Sequence, residues 1–197
     1  MKNLVRCFSR QVVSTFLETL AKDKSSRNFE LIVALFMQRT YERQWNAPTR
    51  IGFYLTTKWA ELLSKTDNPP IELLLQALRD GIDENGPIDF VIAGEDVARY
   101  QEFQLKRFGM RTASTEALID YLNGIKTKYA RTDAACLIAI TDIHLIDFPR
   151  IAREVEKDNF PFKELLLIGV SGDDKFYVVG ILPNEGWSAY DLSAVVN

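Results

Sequence analysis

The chain has little of the residue types that build several common kinds of active site. It contains one His and two Cys in 197 residues, and Cys7 and Cys136 are far apart in the sequence. Zinc clusters and two-His catalytic centres need more ligands than this, so both are excluded. The sequence also lacks a Gly-x-x-x-x-Gly-Lys loop and a Gly-x-Ser-x-Gly elbow. We therefore expect no nucleotide cofactor and no serine-hydrolase chemistry.

Long hydrophobic runs are absent as well. No apolar stretch approaches the roughly 20 residues that span a bilayer, and the N-terminal MKNLVRCFSRQ lacks the unbroken apolar core of a signal peptide. We therefore expect no membrane partner and a cytoplasmic location. The apolar fraction of 47% and the charged fraction of 26% are typical of a folded globular protein. A chain of this length is expected to form one compact unit.

Charge is distributed unevenly along the chain, although the formal net charge is only −3. Residues 1–50 carry nine Lys or Arg and four Asp or Glu, and residues 106–131 carry six and two. The segments 51–105 and 132–197 are acidic, with four basic against ten acidic and five against eleven. A local surface that faces phosphates is therefore compatible with the overall acidity, although such blocks are also typical of solvated helix faces.

The most informative stretch runs from residue 86 to residue 109. Ile88–Ala93 is β-branched and aromatic, and residues 97–108 alternate between apolar and polar, which predicts two strands. Alternate side chains of a strand share a face, so Glu102, Gln104 and Lys106 are expected to line up on one side. If the two strands pair as a hairpin, the carboxylate of Asp89 comes beside this polar row.

Such a row suits a hard divalent cation. Carboxylate and carbonyl oxygens bind Mg²⁺ through part of its coordination shell, and a Lys can orient a water or offset charge on a phosphate. The residues Pro87-Ile88-Asp89 and Gln104-Leu105-Lys106 resemble the motif of the PD-(D/E)XK nuclease superfamily. With Gln in place of the usual acid, the second half is similar to that of Mrr-type restriction endonucleases. Glu102-Phe103-Gln104 can also be read as the Glu-x-Gln variant of that motif.

The resemblance implies a catalytic site and its cofactor. Asp89, either Glu102 or Gln104, and the carbonyl of Leu105 would hold Mg²⁺ or Mn²⁺, and Lys106 would position the attacking water. Glu30 and Glu72 are weaker candidates for an additional acid carried on a helix. DNA is the expected partner. The residues expected to contact it are Arg107, Arg111, Lys126, Lys128 and Arg131.

The order of predicted elements indicates an α/β fold. Apolar spacing predicts one helix from Val5 to Leu20, a second after Ser26, a third over residues 58–64 and a buried fourth over Ile71–Leu78. The two central strands are followed by a helix that Ser114 caps, an apolar strand over residues 134–141, a short helix and a C-terminal hairpin. A strand, helix and buried strand in this order predict a parallel crossover.

This order resembles the restriction-endonuclease core, a mixed central sheet flanked by helices. We divide the chain into an N-terminal helical region, 1–68, and a nuclease-like core, 69–197, with the second helix assigned to either part. Two functions remain open. The first is a metal-dependent nuclease that hydrolyses DNA phosphodiester bonds, for which a homodimer would supply two active sites. The second is an inactive protein of the same fold that acts as a DNA-binding or protein-interaction module.

Overall fold

The chain is mixed α/β. The computed structural model describes residues 5–20, 26–84, 86, 88–95, 99–108, 114–141, 143–156, 160–170, 175–182 and 186–191. The strands of this part are β1 (Val5–Phe8), β2 (Thr49–Tyr54), β3 (Phe90–Gly94), β4 (Tyr100–Arg107), β5 (Thr132–Thr141), β6 (Phe162–Val170), β7 (Lys175–Leu182) and β8 (Gly186–Asp191). Its helices are α1 (Arg10–Leu20), α2 (Ser26–Trp45), α3 (Thr57–Ser64), α4 (Ile71–Asp80), α5 (Thr115–Lys128) and α6 (Phe148–Glu156), with a 3₁₀ turn at Ile143–Leu145.

The chain divides into two compact units, residues 1–102 and 103–197. In the first unit β1, β2 and β3 pair as an antiparallel sheet, in which Ile51 lies opposite Phe8 on one side and Ile92 on the other. All three side chains are buried, and α2 packs against β2 and β3. The amide of Gly94 donates to the carbonyl of Arg99 at 2.8 Å, which brings the chain from β3 into β4.

The second unit is built around a mixed sheet. The C-terminal half of β4 pairs in parallel with β5, and β5 pairs in parallel with β6. The strands β7 and β8 then extend the sheet in antiparallel fashion. The predicted crossover from β4 through α5 to β5 is therefore confirmed, as are the burial of β5 from Ala134 to Ile138 and the pairing of β6 with β7.

The helix α5 forms where the sequence predicts it. The hydroxyl of Ser114 accepts a hydrogen bond from the amide of Ala117 at 3.2 Å and thereby caps the helix. One stripe of the helix, formed by Leu118, Leu122 and Ile125, is buried. Burying this stripe gives most of the helix stability, because an isolated helix of this length is marginal in water.

The prediction of a continuous helix from Val5 to Leu20 is wrong at its start. Val5–Phe8 is the strand β1, which pairs with β2, and the helix begins only at Arg10. Four residues are too few to separate a helical period from a strand period, and hydrogen bonding to β2 decides the outcome. With β1 and β2 both within residues 1–68, this region is not purely helical.

One further expectation is wrong, and one strand has no counterpart in the sequence prediction. The run Leu73-Leu74-Leu75 in α4 is only half-buried, because three consecutive residues span about 200° of a helix and cannot all face the core. The strand β8 was not predicted, since Gly186, Ser188 and Asp191 weaken its hydrophobic pattern. No helix within the described ranges is long and apolar enough to cross a membrane.

Candidate functional site

Asp89 lies at a bend immediately before β3 and is half-buried. The sequence places it inside the strand, but the strand begins one residue later, at Phe90. The five residues of β3 are all buried, so Asp89 stands where the chain passes from a polar turn into the core of the first unit. Pro87, the first residue of the motif, lies outside the described residues. Coordination of a metal by Asp89 stays a prediction.

The carboxylate of Glu102 is held by a tyrosine that the sequence did not indicate. The hydroxyl of Tyr54, at the end of β2, donates to Oε1 of Glu102 at 3.1 Å. The backbone carbonyl of Glu102 accepts from the side-chain amide of Gln101 at 3.1 Å. Glu102 is half-buried and forms no salt bridge with any other described residue. Among the described residues, the side-chain donor to this carboxylate is the neutral hydroxyl of Tyr54.

The environment of Tyr54 favours its protonated form. Burial, the negative charge of Glu102 and the hydrogen bond to Glu102 together raise the pKa of Tyr54 to about 12 from an ordinary value of 10.0. Tyr54 therefore donates this hydrogen bond at every physiological pH. The two partners lie 48 positions apart in the chain, which explains why no local pattern in the sequence predicts the pair.

We predict that Glu102→Gln lowers the pKa of Tyr54 from about 12 while leaving it above 10, because the charge is removed and the burial remains. The measurement is phenolate absorbance during alkaline titration, with Tyr54→Phe subtracted to isolate this residue. The raised pKa also stabilises the fold below pH 10, and this contribution is lost as the pH rises towards 12, since the unfolded chain releases its proton first. An unchanged Tyr54 titration in Glu102→Gln would contradict the described contact.

Gln104, Leu105 and Lys106 lie on the half of β4 that belongs to the second unit. All three are half-buried, and Gln104 and Lys106 lie opposite Cys136 and Ile138 of β5. Burial alternates from the buried Gln101 through the half-buried Glu102 to the buried Phe103, but the next three residues are all half-buried. The predicted alternation is therefore confirmed for the first part of the strand only.

The side chain of Lys106 extends towards the end of α5. Its Nζ lies 4.9 Å from the ring centroid of Tyr129, and Nζ of Lys128 lies 5.7 Å from the same centroid. Both distances are within the range of cation–π attraction. Phe108, two residues beyond Lys106, packs on Tyr121 of α5 with ring centroids 5.4 Å apart. The face of β4 that carries Lys106 is thus the face that α5 covers.

The other predicted basic residues have different surroundings. Nζ of Lys126 donates to the carbonyl of Glu154 in α6 at 3.3 Å, whereas Lys128 lies over Tyr129. Two residues along a helix correspond to about 200°, which explains why these lysines have different partners. Arg107 and Arg131 are exposed, and Arg111 lies outside the described residues. A continuous DNA-binding surface stays a prediction.

The additional acids lie on separate helices. Glu30 is half-buried on α2, and Glu72 is exposed in the first turn of α4. Within the described part of the chain, no group of three or more His, Cys, Asp or Glu side chains could hold a metal ion. The predicted ligand set has at most two carboxylates, because it consists of Asp89, either Glu102 or Gln104, and the carbonyl of Leu105.

No protein-family model, curated protein or solved structure matches this chain. The residues that bear on function are the half-buried Glu102 with its Tyr54 donor, and Lys106 and Lys128 beside Tyr129.

Proposed function

We propose that the protein is a metal-dependent nuclease that hydrolyses DNA phosphodiester bonds, with a restriction-endonuclease-like fold. The observation that carries this proposal is the state of Glu102, a half-buried carboxylate without a cationic partner among the described residues. Its carboxylate oxygens are therefore available as ligands, and a bound divalent cation would supply the missing positive partner.

The donor types fit a hard divalent cation. Asp89, Glu102 or Gln104, and the Leu105 carbonyl offer only oxygen atoms, which Mg²⁺ and Mn²⁺ prefer. The metal would supply Lewis-acid activation of water and of the scissile phosphate. In this proposal Tyr54 keeps Glu102 oriented, Lys106 positions the attacking water, and exposed basic residues such as Arg107 and Arg131 bind the phosphates of DNA.

The parallel unit formed by β4, α5 and β5 supports this proposal at the level of topology. The crossover follows the strand that carries the motif, as in the nuclease superfamily that the sequence resembles. A homodimer with two such sites could cut both strands of a duplex.

A second function is favoured by the position of Lys106. Its ammonium lies over the ring of Tyr129, on the face that α5 covers, and Gln104 is neutral where an acid is usual. A protein of the same fold that has lost catalysis could use this lysine for packing. It would then act as a DNA-binding or protein-interaction module.

Metal titration by calorimetry distinguishes the two functions. We expect wild type to bind Mn²⁺ or Mg²⁺ and Asp89→Ala to lose this binding, because a carboxylate ligand is removed. Asp120→Ala is the matched control, since Asp120 is an exposed carboxylate on α5 and its loss should leave the affinity unchanged.

Two further variants identify the ligand on β4. If Gln104 is a ligand, Gln104→Glu adds a charged oxygen and should tighten metal binding. If Glu102 is the ligand, Glu102→Gln abolishes binding and Gln104→Glu has no effect. Absence of metal binding by wild type would contradict the nuclease proposal. The second function, a DNA-binding or protein-interaction module without catalysis, would then remain.

A further inference from the structure

The sheet face that carries Tyr54 and Glu102 in the first unit also carries Arg50 and Tyr100. The hydrogen bond from the hydroxyl of Tyr54 to Oε1 of Glu102 shows that both side chains leave the sheet on the same side. Alternate residues of a strand share a face. Arg50, four residues before Tyr54 in β2, and Tyr100, two residues before Glu102 in β4, therefore lie on this face as well.

The pairing of the strands brings Arg50 and Tyr100 to the same level of the sheet. Arg50 lies directly opposite Ala93 of β3. The amide of Gly94 donates to the carbonyl of Arg99, so the next residue, Tyr100, comes beside Ala93 from β4, the neighbouring strand. Adjacent strands are about 4.8 Å apart, which separates the backbones at Arg50 and Tyr100 by about 10 Å. Two long side chains thus flank one small side chain.

Both long side chains are accessible to a ligand. Tyr100 is 61% exposed, which is high for an aromatic residue, and Arg50 is exposed, whereas Ala93 between them is buried. The side chain of Arg50 forms no ion pair or hydrogen bond with any residue that the structure describes. A ring and a guanidinium in this state can bind a ligand without first breaking a contact of that kind.

The chemistry of these two side chains favours a nucleotide. The ring of a tyrosine offers a flat face on which a base can stack, and a guanidinium binds a phosphate through two parallel hydrogen bonds. The separation of about 10 Å is comparable with the length of one nucleotide. A ring and a cation on either side of one small residue form a narrow surface, whereas a protein interface of ordinary size has a wider apolar centre.

We propose that the surface formed by Arg50, Ala93 and Tyr100 binds one unpaired nucleotide of a nucleic-acid strand, with its base on Tyr100 and its phosphate on Arg50. A base inside a duplex is already stacked on both sides, so the ligand is a single strand or a locally unpaired one. Glu102 lies about 7 Å further along β4, two residues beyond Tyr100. The inference rests on the proposed nuclease function and deepens it, because it names an unpaired strand as the substrate.

Fluorescence titration of the full chain, at low salt and with chelator present, tests the stacking. The probes are a short oligonucleotide of thymidine and 2-aminopurine and the same oligonucleotide annealed to its complement. We expect the single strand to bind more tightly than the duplex, and its 2-aminopurine fluorescence to be quenched by stacking. Tyr100→Leu should remove this quenching and weaken binding by about tenfold to a hundredfold, the usual effect of losing an aromatic partner of a base. Tyr100→Phe is the matched control, because it keeps the ring and should retain both.

Salt dependence tests the phosphate contact separately. Arg50→Gln removes one contact with a single strand, so the slope of log K against log salt concentration should become less steep by about 0.7. Lys58→Gln is the control, because it removes the same charge from an exposed residue of α3, beyond the end of β2, and should keep the slope of wild type. Tyr100→Leu should also keep that slope. Arg50 and Tyr100 are exposed, so their variants should fold normally, which circular dichroism can verify.

The inference is overturned if the duplex binds as tightly as the single strand, if Tyr100→Leu retains affinity and quenching, or if Arg50→Gln has the slope of Lys58→Gln. Absence of binding by both probes also overturns it and leaves the surface to a protein partner. Metal is absent throughout, so these outcomes are independent of catalysis. Binding of the single strand by a protein that never cleaves it would contradict the nuclease proposal alone, and cleavage that does not depend on Tyr100 would contradict this inference alone.

Discussion

Gly169→Ala is expected to destabilise the second unit by about 3 kcal/mol, at the upper end of the usual cost of overpacking. A Cβ added at Gly169 in β6 would overlap the carbonyl oxygen of Ile140 and lie 3.0 Å from Cβ of Ile143. Ile140 belongs to β5, which is paired to β6 and cannot yield without breaking ladder hydrogen bonds. At roughly 2–4 °C per kcal/mol, the melting midpoint should fall by roughly 6–12 °C.

Gly124→Ala is the control, and for this variant we expect stability to increase and not to decrease. Gly124 lies in α5, is exposed, and has no atom within 4 Å of an added Cβ. Because Ala is the better helix former, this change should stabilise the protein by about 0.5–1 kcal/mol. Denaturant unfolding of both variants measures the two effects in the same unit. If Gly169→Ala were as stable as wild type, the close approach of β5 and Gly169 would be incorrect.

The contrast between these glycines shows which features a sequence can predict. The helix α5 follows from a capping Ser114 and a stripe of apolar residues, and β5 follows from an unbroken apolar run, because both signals are local. The need for glycine at residue 169 depends on a carbonyl 29 positions earlier in the chain. No period or propensity encodes that contact.

The candidate site likewise combines a feature that the sequence predicts with contacts that it does not predict. Alternation of residues predicted the polar side of β4, and the structure agrees from Gln101 to Phe103. The Tyr54 hydroxyl that holds Glu102 and the Tyr129 ring that holds Lys106 come from other elements, and strand pairing and helix packing decide their positions.

Lys106→Ala is expected to lower the rate of DNA cleavage by at least about 100-fold, the lower range for loss of a group that transfers or positions a proton. Binding of metal and DNA should change little, because Lys106 acts in the proposal on the water and on the developing charge and is not a metal ligand. Single-turnover cleavage at saturating DNA measures the chemical step, and calorimetry measures the two affinities separately.

Lys128→Ala is the control that separates catalysis from packing. Lys106 and Lys128 both place an ammonium over the ring of Tyr129, at 4.9 Å and 5.7 Å, so each variant removes one cation from the same aromatic surface. Loss of Lys128 should weaken DNA binding and its dependence on salt while leaving the saturated rate nearly unchanged. If both variants reduced the saturated rate equally, the effect would come from the contact with Tyr129 and not from a catalytic role. A wild-type protein that binds metal but never cleaves DNA would place Lys106 in the packing role that its contact with Tyr129 already provides.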